Sequence, residues 1–585
     1  MNNKNLKLIT SLLVTVLIFS SCNVDELLNK QPPGSAAGDI ITNPAGVEGI
    51  LIGAYDRLTT KNMFGGALAD DWTYGECASD NAYKGTSFGD QLLFNAVERW
   101  ETLPSNGYMA ARWRDCYEGV ARANDVLDFL RAVQNSDNPV PEPRATQIEA
   151  EAKFLRAWFH FKATRIFRNI PYIKTIEEMG GTLPEDVPND SEGWEGIEAD
   201  LQFAIDNLPE TRPLGNVGRP SRYSAMAVKA HAHLYQREHS QAKPLLDAII
   251  ASGQFELAEQ FNDNFSAFGN NNQESIFEIQ IAVTGETTGS TLNNNRATAH
   301  QSGPVSVGWG FYQPSQDLFE AFQVTDDGLP VLDPADRTPL ANDMGISSSE
   351  EFVPTDHPLD PRVDYTIARR GIDFNGHAIH EGRSWIREQS NGGPYMTKKF
   401  HYSAEEMTAG LYRSGGWGAR NVRSYRLGII MLWRAEIAVE EGDLAYAREL
   451  VNAIRERARD SDPVMGRVTT YIFDGRPIEV DWDQPAANYV IEPYPAGHEA
   501  FANQENARKA VRHELRLETA IEGHRFFDLR RWGIISETLN AFVAKDSQFR
   551  SFMQGATFNA PKDEFWPLPE AQLDIQDALT QDPNY

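Results

Sequence analysis

Hydrophobic side chains recur every three or four positions over most of residues 46–255, which is the period of an α-helix with one buried face. One such face consists of Trp113, Tyr117, Val120, Asn124 and Leu127. A second face repeats the spacing at Phe154, Trp158, Phe161 and Arg165. We expect this second helix to stop near Pro171, because proline disfavours helical geometry in the residue before it. The pattern predicts a largely helical first half of the chain.

Two stretches share a plan of two helices joined by a short turn. The first pair is expected at Ser221 to Glu238 and Gln241 to Ala251, and the second at Arg423 to Glu440 and Leu444 to Arg459. Two helices per about 34 residues, with small alanines at the close contacts, are typical of tetratricopeptide repeats. The fold class is therefore predicted as mainly α, with a tetratricopeptide-like scaffold of helical pairs.

Between residues 256 and 420 the pattern changes, because Asn, Gly, Pro, Ser and Thr become frequent and helical spacing becomes rare. Short strand-like runs occur there, as in Ser275–Ile279. We predict a loop-rich, irregular insertion, a place where binding sites tend to lie. Residues 460–505 form a second irregular stretch, and a last helix is expected from about 506 to 522.

The amino terminus has the layout of a secretory signal. Lys4 and Lys7 precede an apolar run over residues 8–19, which is shorter than the about 20 residues that cross a bilayer. Cys22 follows two serines and resembles the lipidated cysteine of a bacterial lipoprotein signal. We predict a signal peptide at 1–21 and a lipid anchor with a tether at 22–45. An ordinary secreted protein with an unmodified Cys22 is the alternative.

Composition narrows the possible partners and cofactors. The formal net charge is −29, which disfavours nucleic acid and anionic membrane surfaces as partners. Cys77 and Cys116 are the other two cysteines, and the sequence leaves open whether they form a disulfide or stay as free thiols. No CxxC or histidine-rich ligand spacing occurs, so we expect no zinc site and no cofactor.

Several separated strings resemble the SusD/RagB family of outer-membrane nutrient-binding lipoproteins. The clearest covers residues 514–532 and reads Glu-Leu-Arg-Leu-Glu-Thr-Ala-Ile-Glu-Gly-His-Arg-Phe-Phe-Asp-Leu-Arg-Arg-Trp. The family usually has Glu-Arg-Arg-x-Glu-Leu-Ala-Phe-Glu-Gly-x-Arg followed by Asp-Leu-x-Arg-Trp, and Leu515 and Thr519 depart from that pattern. Other strings similar to the family are 121–124, 151–156, 169–171, 360–362, 566–569 and 579–583, and the acidic Asp25-Glu26 resembles a surface-export signal.

The resemblance implies a SusD-like fold over residues 46–585, with the helical scaffold at about 46–255 and 421–535. It also implies a lipid-anchored protein on the cell surface, in the outer membrane, that captures a glycan or oligosaccharide. Its partner would be a SusC-like TonB-dependent transporter, which receives the ligand. A competing interpretation is a tetratricopeptide lipoprotein that binds a peptide or a protein.

The acidic residues of the 514–532 string have a structural explanation. Glu514, Glu518 and Glu522 lie four residues apart on one predicted helix face, near Arg512, Arg516 and Arg525. We therefore expect a network of paired charges there and no ligand contact.

Catalytic motifs are incomplete. Gly85-Thr-Ser87-Phe-Gly89 matches the GxSxG pattern of serine hydrolases, but the preceding residues 80–84 are too polar for the hydrophobic strand that this motif requires. His513-Glu514 begins like HExxH, but Leu517 occupies the position of the second histidine. We predict a binding protein and no enzyme.

Sugars present flat apolar faces ringed by hydroxyl groups, so loop aromatics beside short polar side chains are candidate contacts. The candidates are Trp72, Asp80, Asn81, Tyr83, Trp309, Tyr312, Trp385 and Trp417. Alternatives remain for several of them. Trp72, Trp309 and Tyr312 could instead fill the core, and Asp80 and Asn81 could form a turn.

Overall fold

The computed structural model describes residues 43–59, 64–66, 68–281, 303, 309–413 and 417–585. The predicted signal peptide, Cys22 and all but the end of the predicted tether lie outside the described residues. Within them the α-helices are α1 (Pro44–Asp56), α2 (Leu92–Glu98), α3 (Gly107–Gln134), α4 (Arg144–Phe167), α5 (Trp194–Asn207), α6 (Arg222–Tyr235), α7 (His239–Ala251), α8 (Gln316–Ala321), α9 (Val363–Thr366), α10 (Gln389–Gly392), α11 (Ala404–Thr408), α12 (Leu427–Glu441), α13 (Leu444–Asp460), α14 (Gln504–Glu518), α15 (Arg525–Trp532), α16 (Ile535–Asp546) and α17 (Glu570–Leu573).

Strands are short and pair only in twos in the described part of the chain. The antiparallel pairs are β1 (Ala82–Gly85) with β3 (Phe311–Pro314), β2 (Ser275–Ile279) with β8 (Val422–Arg426), β4 (Ile367–Ala368) with β5 (Met396–Thr397), β6 (Tyr412–Arg413) with β7 (Trp417–Gly418), and β9 (Met465–Val468) with β10 (Val480–Pro485). The prediction of a mainly α fold is confirmed.

The long helices form a continuous array in which each packs on the next, from α3 through α7. The array then continues from α7 to α12, and α12 packs on α13 and α14. The residues between α7 and α12 therefore leave the array and return to the same place, as predicted for an insertion on a helical scaffold. Among the described residues no helix is long and apolar enough to cross a bilayer.

Small side chains bring α6 close to its neighbours, as the sequence predicts. Its alanines Ala225, Ala227, Ala230 and Ala232 are all fully buried. The helix begins at a capping box, in which the Ser221 hydroxyl accepts a hydrogen bond from the backbone N–H of Ser224.

Two predicted helix boundaries are wrong. Residues 423–426 belong to strand β8, and the helix begins only at Leu427. The strand forms because β2 pairs with it, and the Glu278 carboxylate accepts from Arg423 Nε at 2.5 Å. The helix predicted over about 506 to 522 is α14, which ends at Glu518 and not near 522. It is not the last helix, because α15 and α16 follow it.

Residues 519–524 turn sharply because they pass directly under residues 70–76. Gly523 has φ +91, and a Cβ built on it would lie 1.9 Å from the Asp70 carbonyl oxygen. A Cβ on Gly75 would lie 1.9 Å from the Gly523 carbonyl oxygen. Glycine is required at both positions because the two backbones touch.

The predicted network of paired charges exists, but its cations come from other elements. Glu518 accepts from Arg362 at 3.0 Å and from Arg426 and Arg457 at 2.5 Å each. Glu514 pairs with Arg362 and Arg455, and Glu522 pairs with Arg426 and Lys399. These buried pairs hold the insertion, α13 and α14 together.

Candidate ligand-binding site

Three of the eight predicted contact residues lie in the main hydrophobic core. Trp72 and Tyr312, which are 240 positions apart in the sequence, contact one another with ring centroids 5.2 Å apart. The Tyr312 hydroxyl donates to the Ile521 carbonyl oxygen at 2.6 Å. The Tyr83 hydroxyl donates to Asp546 Oδ1 at 2.6 Å, and the Arg550 guanidinium covers its ring. All three side chains are buried, so the structure gives them packing contacts and we drop them from the ligand surface.

Asp80 and Asn81 are also buried, in an interior polar cluster. Asp80 pairs with Arg525 at 2.8 Å and Arg516 at 3.1 Å, and Asn81 Oδ1 accepts from Arg516 Nε at 2.8 Å. Burial raises the pKa of Asp80, but the two guanidinium groups outweigh burial and hold it below its usual range. We drop this pair from the ligand surface as well, because its polar atoms already have protein partners.

Trp385 packs in a small separate cluster with Phe374 and Met396 and is buried, so we also drop it from the ligand surface. The backbone of Trp417 lies in β7, and its side chain lies outside what the structure describes. A ligand role for Trp417 stays a prediction.

Trp309 is the predicted aromatic that the structure places at the surface, with 47% of its side chain exposed. It precedes β3, whose first residue pairs with Gly85 at the end of β1. The two strands are antiparallel, so Trp309 lies where the chain leaves β1. The Gly310 carbonyl oxygen accepts from the Thr86 backbone N–H at 2.6 Å, which joins the two segments.

The loop at residues 86–90 carries a second exposed aromatic, Phe88, which is 57% exposed. Its ring rests edge-on against Phe552, with centroids 6.0 Å apart. Below the loop, the buried Lys84 ammonium donates to the carbonyl oxygens of Ser87 at 3.0 Å and Asp90 at 2.7 Å. Burial lowers the pKa of Lys84 to about 8. The ammonium therefore fixes the loop that presents Phe88.

A polar group joins the 86–90 loop to Arg387 of the insertion. Arg387 Nη1 donates to Thr86 Oγ1 at 2.8 Å and to Asp90 Oδ2 at 3.0 Å, and Thr86 Oγ1 donates to the same Asp90 oxygen at 3.0 Å. Arg387 and Asp90 are only partly exposed. The arrangement offers hydrogen-bond donors and acceptors in a fixed geometry, on the loop that carries Phe88 and next to Gly310, which follows Trp309. We call Phe88, Trp309, Thr86, Asp90 and Arg387 the aromatic surface.

Sequence reasoning found Trp309 but missed the rest of this surface. A signal for Phe88 was present, because it is followed by Gly89 just as Trp309 is followed by Gly310. No local pattern marks Arg387, which reaches Thr86 across 301 positions.

The GxSxG match at residues 85–89 overlaps the 86–90 loop. Contrary to the sequence prediction, a buried strand, β1, does precede Ser87. Among the hydrogen bonds of the described residues, none joins the Ser87 hydroxyl to a histidine.

One cluster could offer ligand atoms to a cation. In the described ranges, ligand atoms of Glu198, His233 and Glu238 lie within 4.8 Å of one another. His233 Nδ1 is already 2.7 Å from Glu238, and Gln236 donates to Glu198 at 2.7 Å.

Cys77 and Cys116 are free, buried thiols.

The architecture defines a tetratricopeptide-like α-helical protein with a loop-rich insertion. The chain belongs to the SusD family, whose sequence profile matches residues 273–585. A second profile, described as starch-binding associating with outer membrane, matches residues 26–234. These matches confirm the resemblance that the sequence strings indicate.

Similar proteins cover nearly the whole chain. SusD-like protein P25 of Formosa agariphila is 22% identical over 97% of this chain and 96% of its own. A SusD superfamily protein from Bacteroides vulgatus has a similar crystal structure, with TM-score 0.66 and 20% identity over 93% of this chain and 99% of its own. Surface glycan-binding protein A from Bacteroides thetaiotaomicron, solved in complex with laminarihexaose, has TM-score 0.64 and 19% identity over 93% and 100%.

Proposed function

We propose that this protein captures a glycan on the aromatic surface and delivers it to a partner TonB-dependent transporter in the outer membrane. The observation that carries the proposal is the pairing of exposed Trp309 and Phe88 with the Thr86–Asp90–Arg387 group. Binding of a glycan needs no catalysis and no cofactor in this proposal.

The chemistry of the surface suits a sugar. A sugar ring can stack its apolar face on an exposed aromatic plane while its hydroxyls bond to nearby polar groups. The guanidinium of Arg387 offers further N–H donors, and Asp90 offers acceptors. Similarity to a structure that contains laminarihexaose supports a glycan as the ligand class.

Location and delivery rest on the amino terminus and the family. Lipidation at Cys22 would hold the protein on the outer membrane, and a profile described as associating with outer membrane supports that location. Replacing Cys22 by alanine should release the protein from the membrane fraction. Retention of Cys22→Ala in that fraction would contradict the anchor. Co-purification of a TonB-dependent transporter with the anchored protein would test delivery.

The first binding test is affinity electrophoresis of the protein without residues 1–22 in gels that contain single polysaccharides. We expect one glycan to retard the protein and the retardation to be lost in Trp309→Ala and in Phe88→Ala. Trp482→Ala is the matched control. Trp482 is also an exposed tryptophan, but it lies on β10, far from Phe88 and Trp309 in the sequence.

Two outcomes would count against the proposal. Equal loss of retardation in Trp482→Ala would show that the effect is not specific to the aromatic surface. Binding of a peptide mixture with no retardation by any glycan would favour the competing peptide-binding function.

A further inference from the structure

A cavity of about 240 Å³ is lined by none of the residues of the aromatic surface. The insertion and the start of β9 line it, and its charged lining residues include Lys398, Lys399, Arg420, Asp373 and Glu406. A single water needs only about 10–15 Å³ of such space, so the cavity can accept a larger group.

Lys398 is 2% exposed and lacks an ionic partner. In the described part of the chain no carboxylate oxygen lies within 4.0 Å of its ammonium nitrogen. Its one acceptor is the Asp373 carbonyl oxygen at 2.6 Å, which leaves two N–H groups without an acceptor there. The buried Lys162 and Lys399, in contrast, pair with Asp71 at 2.6 Å and Glu522 at 2.8 Å.

Arg420, which lines this cavity and a neighbouring one beside residues 69–71, carries two more donors without a partner. Its Nη2 donates to Glu406 and to the His401 carbonyl oxygen at 3.1 Å, while Nε and Nη1 are buried without a partner. Glu406 cannot serve these donors further, because it also accepts from the backbone N–H groups of Ser403 and Ala267.

The remaining carboxylate in the wall, Asp373, attracts the Lys398 charge but forms no direct ion pair with it, and one of its oxygens is already bonded. Asp373 Oδ2 accepts from the Gly376 N–H at 2.9 Å. A buried charge without a counter-charge is costly, and a buried donor without an acceptor adds to the cost. Burial lowers the pKa of Lys398 to about 8, so the ammonium is still mostly charged at pH 7. The N–H groups of Lys398 and Arg420 that have no acceptor could bond the oxygens of an anion.

We propose that this cavity binds the anionic substituent of a sugar, a sulfate ester or a carboxylate. Lys398 would supply the positive charge, and its free N–H groups and those of Arg420 would bond the anionic oxygens. The choice of a sugar as carrier rests on the proposed glycan function, whereas the anion site itself rests on the cavity. General attraction of anions does not explain such a site, because the whole chain carries −29.

The test measures thermal stability and calorimetric binding of the purified protein with sulfate, glucuronate, glucose 6-sulfate and glucose. Ionic strength is held constant with sodium chloride. We expect saturable binding of the first three and none of glucose in this cavity. Lys398→Met should weaken anion binding by about tenfold or more, which is the worth of one charge-assisted hydrogen bond. Lys398→Gln, which keeps an N–H donor but no charge, should behave similarly.

The melting temperature of Lys398→Met distinguishes loss of the anion site from loss of the fold. Without an anion, Lys398→Met should melt at a higher temperature than the wild type, because it removes an unpaired buried charge. No saturable response to any anion in the wild type, or an unchanged response in Lys398→Met, would overturn the site. Binding of sulfate alone, with neither charged sugar bound, would overturn the assignment to a sugar substituent.

The aromatic surface provides an independent control. Trp309→Ala should keep the whole anion response, and Lys398→Met should keep retardation by a neutral glycan. Failure of the glycan function would thus appear as loss of neutral-glycan binding with the anion response intact.

Discussion

Asp80 and Arg525 form a two-point ion pair, with Nε donating to Oδ1 and Nη2 donating to Oδ2 at 2.8 Å each. The pair joins a residue two positions before β1 to the first residue of α15, and the two residues are 445 positions apart in the sequence. Arg516 of α14 contacts the same carboxylate at 3.1 Å. Asp80 therefore ties the loop below the aromatic surface to the family-like segment at 514–532.

Replacing Asp80 by asparagine should destabilise the fold by about 3–5 kcal/mol, because it leaves the Arg525 guanidinium without its counter-charge and leaves Arg516 with Asp317 alone. Glycan affinity of the folded protein should stay unchanged. Urea unfolding gives the first quantity and calorimetric titration the second. Glu101→Gln, which removes an exposed ion pair with Arg99, is the control and should cost far less. Unchanged stability together with lost glycan binding would instead indicate that Asp80 contacts the ligand.

Replacing Phe88 by alanine should weaken glycan binding by about tenfold to a hundredfold, since covering an aromatic side chain is worth about 1.5–3 kcal/mol. Phe552→Ala should weaken it less, because Phe552 only supports the Phe88 ring. Titration calorimetry with the glycan that the gels identify measures both. Phe549→Ala removes another exposed phenylalanine and should have no effect. Full affinity in Phe88→Ala would exclude the 86–90 loop from the site.

Acid should destabilise the protein through His160. Burial, helped by the nearby Arg156 charge, lowers the pKa of this ring from 6.5 to about 3. Its Nε2 accepts from the Ile173 N–H at 3.0 Å, and that bond is lost when Nε2 is protonated. Between pH 6.5 and about 3, His160 is protonated in the unfolded state and neutral in the folded state. The stability is complete above pH 6.5 and falls by about 1.4 kcal/mol per pH unit as pH decreases toward 3.

Urea unfolding at pH 7, 6 and 5 measures that slope. His160→Gln should have a shallower slope by one proton, whatever its stability at pH 7. Identical slopes in the two proteins would show that His160 does not contribute.

The two free thiols should be inert in the folded protein. Cys77 and Cys116 are buried, and burial raises the pKa of Cys116 to about 11, so almost no thiolate forms at pH 8. We expect no reaction with a disulfide reagent until urea unfolds the chain, and then release of two equivalents from a form without Cys22. Rapid labelling under native conditions would contradict this burial.

The periodic helices could be predicted because their evidence is local. Spacing alone located α3, α4, α6, α7 and α13, since one buried face repeats within each helix. The sequence pattern predicts a helix over residues 423–426, because four residues are too few to show the alternation of a strand. Their strand geometry depends on β2, about 145 positions earlier, as the Arg423–Glu278 contact shows.

The candidate site was predictable only in part. The rule of loop aromatics beside short polar side chains pointed to Trp309, and Phe88, which follows Ser87, fits the same rule. Asp80 and Tyr83 look like exposed loop residues in sequence because their partners, Arg525 and Asp546, are more than 400 positions away. Polar composition cannot distinguish a hydrated carboxylate from one that is paired in the interior.

The return of the chain from α7 to α12 has a consequence for how ligand preference changes among relatives. The insertion closes on itself, so it could be exchanged between homologues as one cassette while the helical array is kept. Phe88 and Lys84, however, lie outside that cassette, and Trp309 and Arg387 lie inside it. An insertion taken from a homologue would therefore contact an 86–90 loop from a different protein. Substitutions in the two stretches must accumulate together for a new ligand to be accepted.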